Sequence, residues 1–273
     1  MIKLYHILST VSMIVFIIIF CGAVTAKEQK TIVVTTSMLE NIVREIYPEN
    51  ESIKIVRLIP PGSCPGHFDL SPKVAPTLKK AAVIIRHDFQ GVLEDKVTTL
   101  TGQDIDTIAV TTPGSLLIPD NYSKLAVETA SALTRIFPDD SNEISRRVTS
   151  VNIRMMSLSE KMQKQAEPWK DKPVIASSHQ SKLCEWLGFH VTGVMNRPED
   201  TTPRDISKLM STDVDIVIGN LQEGTQSAVT LGKRMDVPVA ILSNFPEAKD
   251  YGHGYDQLAD INMNRILEAW RRR

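Results

Sequence analysis

Apolar and polar positions along this chain switch repeatedly between a period of two and a period near 3.6. Residues 31–36, Thr-Ile-Val-Val-Thr-Thr, are β-branched and apolar and predict a buried strand. Leu39, Ile42, Val43 and Ile46 then recur at helical spacing; Ser37 can cap that helix and Pro48 ends it. Further strands are expected at 52–58, 82–85 and 106–110, with helices over 71–81 and 92–100. Such alternation argues for a parallel sheet with right-handed crossovers.

A helix is expected over 121–137, and Pro138-Asp139-Asp140-Ser141 punctuates the chain after it. Ile144, Val148, Val151, Met155, Leu158 and Met162 then form one apolar stripe. It predicts a single helix over 142–167, about 39 Å long at 1.5 Å per residue, which suits a spine between two lobes. Beyond it the alternation restarts. Strands are expected at 173–177, 189–194, 215–219 and 237–242, with helices opening at Ser178-His179 and Thr202-Pro203, a helix near 226–235 and a terminal helix over 254–270. The expected fold class is α/β: two lobes, each a small parallel sheet flanked by helices, joined by one long backbone helix. The expected division is a leader at 1–26, a first lobe at 27–140, a linking helix at 141–169 and a second lobe at 170–273.

The leader is read from Lys3, an almost wholly apolar run over 7–24, and small residues in Val24-Thr25-Ala26 before Lys27. Export with cleavage after Ala26 is expected, to the periplasm or another extracytoplasmic space. An uncleaved membrane anchor is the alternative, because eighteen apolar residues just span a bilayer. A formal charge of −1 over 273 residues argues against a nucleic-acid partner, which would want a basic face. Beyond the leader two cysteines remain, Cys64 and Cys184, which could pair or stay free.

Candidate chemistry centres on residues 59–72, Ile-Pro-Pro-Gly-Ser-Cys-Pro-Gly-His-Phe-Asp-Leu-Ser-Pro. Prolines and glycines there forbid regular structure and can hold one side chain, His67, still at the end of a strand. His87 follows the third strand and His179 stands where a strand meets a helix, while His253 lies between Gly252 and Gly254. Taken singly, such a histidine is more often structural than a ligand. Together, histidines at strand ends beside Gly or Ser suit a metal cleft. All-nitrogen ligation suits zinc, nickel or copper, whereas manganese prefers oxygen. Cys64 would be a soft ligand. Asn220, Gln222 and Glu223 follow a strand and are candidates for groups that support ligands. His190 is expected on a strand without a special role. No Ser/His/Asp order, phosphate-binding glycine loop or dinucleotide-binding glycine pattern is present.

The chain resembles the zinc/manganese-binding receptors of bacterial and archaeal ABC importers over essentially all of its length beyond the leader. The resemblance rests on Val-Val-Thr-Thr-Ser-Met-Leu-Glu-Asn-Ile-Val at 33–43, Pro-Pro-Gly at 60–62 with His67 just beyond, His179, and Thr202-Pro203-Arg204-Asp205-Ile206. It implies two bridged lobes with the metal in the cleft between them, held by four side chains. The first ligand of the family matches His67 and the third matches His179. The fourth, normally an aspartate nine residues before an asparagine, falls on His253 when counted back from Asn262. The second, normally a histidine, falls on Gly114. His87 stands where the family generally has an asparagine close to the metal, and is the candidate to complete the set. The acidic, histidine-rich loop common among zinc receptors is absent.

The implied function is capture of a divalent transition metal, zinc ahead of manganese, nickel or cobalt, and delivery to an ABC permease, by a monomer with no catalytic step. A receptor of the same architecture for a metal chelate or other small molecule is one alternative, kept open by Gly114. A zinc-dependent hydrolase is another; it would need a general base near the metal, and no His-Glu-x-x-His helix is present.

Overall fold

In a computed structural model, which describes residues 29–273, the first lobe is built on strands β1 (Lys30–Val34), β2 (Ile53–Arg57), β3 (Ala81–His87) and β4 (Thr107–Val110). They run parallel in the order β2-β1-β3-β4. The second sheet repeats that order, β6-β5-β7-β8, with β5 (Pro173–Ser177), β6 (His190–Met195), β7 (Ile216–Asn220) and β8 (Val239–Leu242). The expected leader lies outside the described residues.

Helices α1 (Ser37–Ile46), α2 (Ala75–Leu78), α3 (Leu93–Thr101) and α4 (Pro119–Ile136) flank the first sheet. Thr36 caps α1, its Oγ1 accepting from the Leu39 amide. The helix expected over 71–81 is instead a 3₁₀ turn, Pro72–Val74, followed by the single turn of α2. Pro72 suits a first helical position, but Pro76 lacks the amide that a continuous helix would direct at Pro72 O.

The spine is one unbroken helix, α5 (Ser141–Ala166), whose buried face is Ile144, Val148, Val151, Met155, Leu158, Met162 and Ala166. It carries a core shared by both lobes. Alternation along the strands decides which face joins it. Ile32, Val34, Val83 and Ile85 turn to the shared core with Val174, Ala176, Ile216 and Ile218. Val33 and Ile84 turn the other way and pack with Leu58, Leu78 and Val97. Both faces are covered, hence the near-continuous apolar strands.

The second lobe adds α6 (Ser181–Trp186), α7 (Pro203–Met210), α8 (Gln226–Met235) and α9 (Tyr255–Arg271). Thr202 and Asp205 form a reciprocal capping box at the start of α7, which gives the Thr-Pro-Arg-Asp sequence its physical reason. Asn262 in α9 clamps the end of β8, accepting from Ser243 N–H and donating to Ser243 O. The lobes are also tied directly. Ser37 Oγ donates to Pro246 O at 2.8 Å, Tyr255 N–H donates to Asn41 Oδ1 at 2.8 Å, Arg57 pairs with Glu247 at 2.6 Å, and Tyr122 stacks on Tyr255. Among the described residues no helix is long and apolar enough to cross a membrane.

Candidate functional site

In each sheet the connections diverge between its two central strands, β1 and β3 in one and β5 and β7 in the other, and the carboxyl ends beside such a switch point form a natural crevice. The two crevices face each other across a cleft of about 750 Å³. Its walls include Cys64, Pro65, His87, Thr112 and Gly114 from the first lobe and His179, Arg197, Asn220, Gln222, Glu223 and Asn244 from the second, with Phe89, Leu116, Leu117 and Phe245 as apolar surface.

The proline loop is anchored before it reaches the cleft. Ile59 N–H donates to Thr35 O, Ser63 N–H to Pro60 O, and Gln90 Nε2 to Pro65 O. Phe68 and Leu70 pack on the core behind it. The 3₁₀ turn Pro65–His67 carries the backbone of His67 to the cleft side; the His67 side chain lies outside the described residues. Arg197, which follows β6, donates from Nη2 to Cys64 Sγ at 3.0 Å. Cys64 and Cys184 are both free thiols, and Cys184 is buried in the second lobe.

His87 is completely buried at the end of β3. Its Nε2 meets Thr36 Oγ1 at 2.9 Å, its Nδ1 meets Thr112 Oγ1 at 3.0 Å, and its ring stacks on Phe89. Burial lowers its pKa to about 4, so the ring is neutral, with one nitrogen donating and the other accepting. Both nitrogens are therefore engaged, and ligation by either requires a threonine hydroxyl to give way. Gly114 serves the local turn: its φ is +70° and its N–H donates to Thr112 O.

His179 is different. Its side chain is half exposed, and Nδ1 hydrogen-bonds Glu223 Oε1, with Ser178 Oγ 3.3 Å away. The Glu223 side chain is 6% exposed. Burial pushes its carboxyl pKa up, but the hydrogen bonds from His179 and Ser178 outweigh this and hold it below the ordinary value. Asn220, buried at the end of β7, shapes the turn by accepting both Gln222 N–H and Glu223 N–H on Oδ1. Gln222 then crosses the cleft, Nε2 donating to Pro61 O at 3.0 Å and to Ser243 Oγ at 2.9 Å.

His253 is exposed between two left-handed glycines, Gly252 and Gly254, its N–H donating to Gln257 Oε1, and it does not line the cleft. The structure thus brings His87 and His179 to one cleft, with the backbone of His67 beside it, and leaves His253 outside. Among the described residues no three His, Cys, Asp or Glu side chains gather closely enough to hold an ion. Arg197, Thr36, Thr112 and Gln90 were not singled out by the sequence. Arg197 could have been suspected from its place just past a strand end and before Pro198.

A family model described as ZnuA, zinc-uptake complex component A, periplasmic, matches residues 32–269. No curated protein sequence matches. Among solved structures, the chain is similar to the periplasmic zinc-binding protein TroA from Treponema pallidum: TM-score 0.75, 14% identity, covering 89% of this chain and 99% of that one. It is also similar to a manganese-bound periplasmic metal-binding protein from Candidatus Liberibacter asiaticus, with TM-score 0.72, 14% identity and coverage of 89% and 100%. A structure of ZnuA gives TM-score 0.71, 14% identity and coverage of 87% and 98%. At these identities the structural likeness establishes the fold.

Proposed function

The chain belongs to the ZnuA family of periplasmic metal-binding proteins, and from that premise we propose that it captures a divalent transition metal, zinc first, in the inter-lobe cleft and hands it to an ABC permease. The observation that carries the reading is the half-exposed imidazole of His179, standing at the switch point of one sheet and facing the proline loop of the other. His67 and His179 are the principal ligands in this reading. Imidazole nitrogens favour zinc over manganese. His87 joins them only by releasing Thr36 or Thr112, and His253 only by a movement of the 252–254 loop. The protein works outside the cytoplasm, with no catalytic step.

The test is elemental analysis of the purified protein, followed by calorimetric competition among zinc, manganese, nickel and cobalt. Stoichiometric zinc binding supports the reading; no binding of any of the four sinks it.

One observation favours a second reading. A cleft of about 750 Å³ with an apolar wall of Phe89, Leu116, Leu117 and Phe245 exceeds what a bare ion fills and falls within the range of small-molecule sites. A metal chelate would use that space. Mass spectrometry of material released from the protein as purified separates the two, because only a chelate leaves an organic component.

A further inference from the structure

We propose that Glu223 is the residue that fixes the His179 ring, keeping the ring proton on Nδ1 and presenting Nε2 to the cargo ion. This rests on the reading of the cleft as a metal site.

An ionised carboxylate can only accept hydrogen bonds, so the nitrogen that meets Glu223 Oε1 must be the donor. In a neutral imidazole the other nitrogen is then bare. His179 lines the cleft and is half exposed, so Nε2 is a lone pair open to a cation. His87 offers the contrast within the same cleft, because Thr36 and Thr112 occupy both of its nitrogens.

Glu223 is itself held still, as a group that orients another must be. Its N–H is fixed by Asn220 Oδ1 at 3.0 Å, and its Oε1 also accepts from Ser178 Oγ at 2.8 Å. Ser178 adjoins His179 in sequence, so the carboxylate grips the turn that carries the ring as well as the ring itself. A carboxylate behind a metal-binding histidine sets its tautomer and raises its basicity, and loss of such a partner typically costs roughly 10- to 100-fold in metal affinity.

The experiment uses the full exported chain with metal removed. Long-range ¹H–¹⁵N spectra of the wild type near neutral pH should show His179 protonated on Nδ1 and bare on Nε2. Added zinc should shift Nε2 and leave the Nδ1 proton in place. Glu223→Ala should weaken zinc binding roughly 10- to 100-fold. Glu223→Gln, whose amide oxygen still accepts from Nδ1–H, should recover most of that loss. An Nε2-protonated ring in the metal-free wild type overturns the proposal, as does zinc on Nδ1 or wild-type affinity in Glu223→Ala. Glu223→Gln as weak as Glu223→Ala also overturns it, because an acceptor for Nδ1–H would then not suffice to set up the ring. A wild type that binds no zinc defeats the metal-site reading instead, and the tautomer of His179 still decides the role of Glu223.

Discussion

Gln222 donates from Nε2 to the carbonyl oxygen of Pro61, joining the second lobe to the proline loop of the first across the mouth of the cleft. The same side chain accepts from Asn244 N–H and donates to Ser243 Oγ, so its position is fixed from behind. Gln222→Ala removes the crossing bond. A bond of this kind is worth about 1 kcal/mol net, or about fivefold in an equilibrium. Amide exchange over residues 62–67 should quicken by that factor in the metal-free protein. Unaltered exchange there would mean that the loop is held without the Gln222 bond.

Replacing His67 by Ala should cost zinc affinity beyond the roughly 10- to 100-fold that follows loss of a supporting partner. His190→Ala should leave it unchanged, since His190 is exposed at the first residue of β6 and does not line the cleft. Calorimetry on both variants checks this. Equal effects would remove His67 from the ligand set.

Buried, neutral His87 makes the metal-free protein sensitive to acid. Its folded pKa is about 4 against an ordinary 6.5, so the unfolded chain binds more protons between those values. Stability should rise with pH across that window and be level, as far as this group is concerned, above it. The full span is worth about 3 kcal/mol. Urea midpoints measured from pH 4 to 7 should show this slope in the wild type and a shallower one in His87→Gln. Parallel slopes would place the acid sensitivity elsewhere.

Gly219 sits in β7, one residue before Asn220, and a Cβ there would lie 2.6 Å from Ala228 Cβ and 2.7 Å from Ile241 Cδ1. Overpacking of this kind costs about 1–3 kcal/mol. Gly219→Ala should therefore lower the urea midpoint, and it should also weaken metal binding by displacing the turn that Asn220 shapes. A midpoint equal to that of the wild type would show that α8 can shift without cost.

The frame of the molecule was readable because it depends on local period. All six residues of the stripe from Ile144 to Met162 are buried on the spine, and the strand runs fall where their β-branched residues lie. The site was readable in part, through the proline loop and the histidine at the end of β5. What the sequence withheld was approach in space. Glu223 lies 44 residues from His179, and Gln222 lies 161 from Pro61, distances about which no periodicity speaks. The meaning of Gly114 was hidden for a related reason. Gly114, which stands where the resemblance expects a histidine, also forms a left-handed turn that only glycine adopts freely, and no periodicity announces such a turn.

The contacts from Ser37, Asn41 and Arg57 to the 246–255 segment bear on how long a bound ion would dwell. Swinging one lobe away from the other about the spine must rupture them together, along with the packing of Tyr122 on Tyr255. Peeling the proline loop away breaks its hydrogen bonds from Gln222, Gln90 and Arg197 and no sheet. Local fraying of this sort lies far below global opening on the free-energy scale. On the reading of the cleft as a metal site, the residence time of a bound ion would follow the opening of this short segment, and a covalent clamp between the lobes would leave exchange of the ion intact.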